Sequence, residues 1–246
     1  MFPNYDIEKI KFAVDDQTFQ KAVELYEDNK VKNFIDDFIG FGAIVEGGQN
    51  YRVYVRANNF SRGMCSCYLG QNGTLCKHMV ALAIYAVLRG GKISLEDKES
   101  VGEVSCSGDL GELDKEELNL IKKDISSAMR YLKPYLGPSK TWDANQHSLE
   151  EGCKRLTSII NKLPISRQTT ELIIKTLLRI DKKLSCTGID DSNGIVGGFI
   201  EQAVFVLEEF ARIDPNCIKI FKLLTNQHIC FDWERSLIKI YDEFDG

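Results

Sequence analysis

The sequence predicts an α+β chain: a small β-rich domain of strands and one helix, followed by an all-α helical bundle. Two observations carry that expectation. Tyr51-Arg52-Val53-Tyr54-Val55-Arg56 alternates strictly, with Tyr51, Val53 and Val55 on one face and Arg52, Tyr54 and Arg56 on the other. That is the period of a half-buried strand. Beyond residue 113 the apolar residues recur every three or four positions instead, as in Leu118, Ile121, Ile125, Ala128 and Leu132, which is the stripe of an amphipathic helix. Between the two regimes, Gly102, Ser105, Ser107, Gly108 and Gly111 mark a linker. The expected division is a first domain over 1–92, a linker over 93–112 and a helical domain over 113–246.

Taken in order, a helix over 16–27 opens the chain, with Phe19, Ala22, Val23 and Tyr26 on one side. Strands are expected over 31–40 and 41–46, and Gly47-Gly48-Gln49-Asn50 turns the chain into the alternating strand. Residues 61–68 read as a further strand and knuckle, and 75–89 as a helix stopped by Gly90-Gly91. In the second half, Pro134, Gly137 and Pro138 end the first helix, a second runs over 149–163 to Pro164, and a third covers 166–184 with Ile173, Leu177, Ile180 and Leu184 aligned. Ile200, Val204, Leu207 and Ala211 mark a fourth helix ending before Pro215, with shorter ones over 216–224 and 233–241. No repeat of fixed length joins them, so a bundle is expected rather than a solenoid.

Charge is distributed unevenly. Residues 47–95 contain no Asp or Glu and carry six cations, Arg52, Arg56, Arg62, Lys77, Arg89 and Lys92, which leaves −11 on the remainder of a chain whose formal total is −5. A basic region is joined to an acidic body. The apolar fraction of 43% is that of an ordinary folded domain. The longest apolar run, residues 79–88, is too short for the roughly 18 or more residues of a membrane-spanning helix and reads as a buried helix. No membrane partner is expected. The opening Met1-Phe2-Pro3-Asn4-Tyr5-Asp6 lacks the basic stretch and apolar run of a secretory signal. Of the eight cysteines, three lie beside a histidine and five are scattered, a pattern of metal ligands and buried thiols in a reducing compartment. A cytoplasmic location follows.

Cys65-Ser66-Cys67, eight residues, then Cys76-Lys77-His78 gives the spacing C-x-C-x8-C-x-H. Two cysteines at i and i+2 of an extended segment point to the same side, and Cys76 and His78 meet them through the first turn of a helix. Three thiolates and one imidazole fill the four positions of a tetrahedral zinc and leave none for water or substrate. One structural Zn2+ is expected on Cys65, Cys67, Cys76 and His78. Three thiolates on a dication leave about one negative charge, which the helix N-terminus and neighbouring Lys77 favour.

That spacing, with the helical continuation Met79-Val80-Ala81-Leu82-Ala83 and the preceding strand 51–56, resembles the SWIM-type zinc finger, with a finger core over 50–90. SWIM fingers occur in bacterial helicase-type ATPases, plant mutator-type transposases, and eukaryotic kinases and recombination factors, where they bind DNA or other proteins. The resemblance therefore implies a binding module. It does not extend to the helical part, and no helicase, kinase or transposase motif accompanies it.

Arg52, Tyr54, Arg56 and Arg62, with Lys77, offer phosphate contacts and an aromatic ring for a base. A solvated strand face has the same composition, so both readings stand at this level. The partners expected are nucleic acid, specifically DNA, through the basic finger region, or another protein docked on the acidic helical domain. Asp190-Asp191-Ser192-Asn193-Gly194 fails as a calcium loop, because placing Gly194 at position six puts Ile189 and Ile200 where the end ligands belong. Cys217, His228 and Cys230 lack a fourth partner and read as buried thiols. The deaminase, P-loop, nucleophile-elbow and H-E-x-x-H patterns are all missing, and no enzymatic activity is expected.

Overall fold

The computed structural model describes residues 2–99, 102–137, 142–225, 227 and 229–245. Pro138 and His228 therefore lie outside the described residues. The chain divides into two compact units, Met1–Ser100 and Val101–Gly246.

In the first unit α1 (Ile7–Phe12) is capped by Asp6, whose carboxylate accepts from the Lys9 N–H, and buries Ile7, Ile10 and Phe12. Helix α2 (Asp16–Glu27) is capped by Asp15 and buries Phe19, Ala22, Val23 and Tyr26. Four antiparallel strands follow in spatial order: β1 (Val31–Asp36), β2 (Gly40–Glu46), β3 (Asn50–Arg56) and the two-residue β4 (Met64–Cys65). The β1–β2 register slips between Lys32 and Ile35, where Asn33 takes a positive φ of 52°. On β2 and β3 the alternation predicts the burial: Phe41, Ala43, Val45, Val53 and Val55 are buried, whereas Arg52 and Arg56 are exposed. A 3-10 turn (Phe60–Arg62) leads into β4, and α3 (Tyr68–Gln71) completes the knuckle.

Helix α4 (Lys77–Leu88) is apolar nearly all round because it is covered on more than one side. The sheet lies against it through β2 and β3, and α1 and α2 also pack on it. It ends one residue before the expected stop. Arg89, rather than a glycine, takes the left-handed cap at φ 52°, and its guanidinium holds Asp36 at 2.7 Å while lying 4.8 Å from the Phe34 ring centroid. The short α5 (Leu95–Lys98) closes the unit, tied by Lys98 to Glu27 at 2.5 Å.

The second unit is helical: α6 (Lys115–Ala128), α7 (Trp142–Ile160), α8 (Arg167–Thr187), α9 (Ile195–Ile213), a 3-10 segment (Pro215–Leu224) and α10 (Arg235–Asp245). Its core includes Leu132, Leu149, Leu156, Ile173, Leu177, Phe199, Leu207, Phe210 and Phe221. Residues 104–113 run along it: the Val104 N–H donates to Gln202, the Ser105 N–H to Asn161, and Leu113 exchanges bonds with Gln168. The expected helix over 216–224 is a 3-10 segment instead. Its buried Ile218, Phe221 and Leu224 recur every three residues, the period of that tighter helix.

Candidate metal centre

Each predicted ligand is placed by a different local device. Cys65 is held by the sheet, paired with Val53 across β3 and β4. Cys67 is the N-cap of α3, its sulfur accepting from the Gly70 N–H at 3.3 Å. Cys76 is the N-cap residue of α4, and His78 lies in that helix's first turn. All four are buried.

Their ligating atoms lie within 4.8 Å of one another. His78 Nδ1 is 3.8 Å from Cys65 Sγ and 3.8 Å from Cys76 Sγ. A tetrahedral zinc with ordinary Zn–S and Zn–N bonds sets that separation at about 3.6 Å, so the residues fit the ion. Nδ1 is the histidine atom facing the sulfurs, and Nε2 is buried with no hydrogen-bond partner among the described residues. The imidazole is stacked on Tyr51, ring centroids 4.2 Å apart and planes 29° apart.

The electrostatics are those of thiols gathered for a cation. Cys76 is pushed down to about 4, chiefly by the hydrogen bond from Cys65, against the cost of burial, and helped by His78 and the Met79 amide. Cys65 is pushed up by the same contact with Cys76 and by burial. A divalent ion relieves this opposition by holding both as thiolates. The Cys67 N–H points at Cys65 Sγ at 3.4 Å, and together with the Gly70 bond to Cys67 it supplies the amide donors that orient thiolate ligands.

The residues around this Cys3His group decide its kinship. Residues 51–86 match the family model of the SWIM zinc finger. No curated protein and no solved structure matches the chain. The SWIM match spans β3, the knuckle and most of α4, and its Cys3His group suits one structural zinc with no coordination position left open for catalysis.

The basic residues singled out from the sequence are only partly brought together. Arg52, Tyr54 and Arg56 share the β3 face opposite buried Val53 and Val55. Arg62 ends the 3-10 turn, and Lys77 is the first residue of α4, half-buried beside Cys76. Arg89 is bound to Asp36. Tyr54 Oη donates to Asp37 Oδ1 at 3.2 Å, so a carboxylate stands at the edge of the basic face. Three supporting residues were missed in the sequence: Tyr51 beneath the imidazole, Gly70 against Cys65, and Gly47, where a Cβ would lie 3.0 Å from His78 Nε2. Among the described residues no helix is long and apolar enough to cross a membrane.

Proposed function

We propose that the chain is a zinc-stabilised binding module whose finger contacts DNA through Arg52, Tyr54 and Arg56, with Arg62 and Lys77 as flanking cations. The observation that supports this reading is that both arginines are exposed on the sheet face opposite the buried side carrying Val53 and Val55. They are four residues apart on one strand, about 13 Å, with Tyr54 between them. Cations at that spacing fit a phosphate backbone, and the Cys3His group joins β4, the strand next to β3, to α4, which packs against the sheet.

The test is fluorescence anisotropy of labelled single-stranded and duplex DNA across a salt series, for the parent and the Arg52→Ala, Arg56→Ala double variant. Weaker binding is expected for all sequences, with the slope of log K against log salt flatter by about one to two units. Zinc content stays at one equivalent, since neither residue is a ligand. An unchanged slope and affinity removes this face as the site. No binding by the parent leaves the acidic helical unit, docking another protein, as the reading to pursue.

A further inference from the structure

Register places Ile35 opposite Gly42, Gly42 opposite Tyr54, and Tyr54 opposite Met64. These four residues form one row across all four strands, spanning three strand spacings or about 14 Å. Tyr54 belongs to the face opposite buried Val53 and Val55. Ile35 is 62% and Met64 68% exposed.

The middle of the row is shaped by two glycines. A Cβ on Gly42 would stand 3.9 Å from Tyr54 Cδ2, and one on Gly40 would collide with Tyr54 Oη at 2.8 Å. The phenol ring thus extends along β2 over positions that carry no side chain. Its hydroxyl is tethered to Asp37 Oδ1, itself fixed by the N–H groups of Ile39 at 2.8 Å and Gly40 at 2.7 Å. The ring is laid down on the strand and held at its far end, with one side on glycine backbone. Cations stand on both sides of the row: Lys32 and Arg52 pair with Ile44 on one side, and Arg56 pairs with Gly40 on the other.

We infer that this face binds single-stranded DNA laid across the strands, with a base stacked on Tyr54, neighbouring bases on Ile35 and Met64, and phosphates on Arg52, Arg56 and Lys32. The inference rests on the proposed function and narrows it to one form of the polymer. A duplex brings phosphates to the arginines but keeps its bases stacked inside, leaving the apolar row uncovered; an unpaired strand covers both. Deoxyribose suits the row better than ribose, because the side chains of Ile35 and Met64 in the row, and of Ile44 beside it, offer no hydrogen-bond partner to a buried 2′-hydroxyl.

The zinc-loaded full chain is titrated with labelled single-stranded DNA, the matching duplex and the matching RNA, for the parent, Tyr54→Phe, Tyr54→Leu and Ile35→Glu. Expected is single-stranded DNA bound at least 10-fold tighter than duplex, and tighter than RNA. Tyr54→Phe should keep most of that affinity, Tyr54→Leu should lose about 10-fold, and duplex binding should respond to neither. Ile35→Glu, at an exposed position, should weaken single-strand binding even if Tyr54→Leu disturbs the strand. Equal affinity for single strand and duplex, or indifference to both Tyr54→Leu and Ile35→Glu, overturns the inference. If binding still falls with the Arg52 and Arg56 variants, the proposed function survives that result. RNA bound as tightly as DNA overturns the choice of sugar, and no binding of any nucleic acid overturns both proposals.

Discussion

Gly70 occupies a place where a methyl group does not fit. A Cβ there would lie 2.5 Å from both Cys65 Cβ and Cys65 O, while the Gly70 amide donates to Cys67 Sγ. Gly70→Ala must therefore push the α3 turn away from β4 and spread two ligands, at a cost of about 1 to 3 kcal/mol. In competition with a chelator, this variant should surrender its zinc at roughly 5- to 150-fold lower chelator activity than the parent. Gly73, with nothing within 4 Å of its Cβ position, is the internal contrast on space alone. Asp37 gives a second expectation. The amides of Ile39 and Gly40 hold its carboxyl below the ordinary range. Its contribution to the turn is thus present above the unfolded value and lost as pH falls through the lowered folded one. In an acid titration the amide signals of Ile39 and Gly40 should move together at that lower pH. Movement only at the ordinary carboxylate value would contradict the bonding. The ligands themselves were legible because zinc demands particular residue types at short spacing. Gly70, Gly47 and Tyr51 were not, since their contacts arise from folding rather than from sequence spacing.

Among the elements, α6 carries the clearest start signal. Asp114 accepts from the Glu117 amide at 2.8 Å, and the Glu117 carboxylate accepts from the Asp114 amide at 2.9 Å. Asp114→Ala should cost about 1 kcal/mol, read as a lower urea midpoint of the helical signal with an unchanged m-value. Helices with a buried stripe were legible through it, and their ends less so. Helix α7 begins at Trp142, seven residues before the expected 149, because its first turns are polar and anchored by side-chain bonds from Trp142 and Gln146 to Asp190. The stripe begins only at Leu149. Helix α1 was missed because six residues offer too short a window for periodicity. The all-round apolarity of α4 announced burial, and its partners are the sheet and the N-terminal helices of the first unit.

For the whole molecule, zinc and core are divided between the units. The first has the metal group inside its own core, whereas the second has a separate and larger cluster that includes none of that group's four residues. Cys76→Ser is expected to open the first unit to protease while a resistant fragment close to 101–246 persists. Loss of that fragment as well would make the chain one cooperative body.

The slip in β1 also governs how copies of this chain treat one another in concentrated solution. An outermost strand with evenly spaced free amides and carbonyls is a template for a neighbouring molecule, and β1 is outermost. The positive φ of Asn33 and the shifted register between Lys32 and Ile35 break that even spacing. Deleting Asn33 should straighten the edge. Light scattering should then rise with protein concentration where the parent stays dispersed, because sheets of separate molecules can join edge to edge.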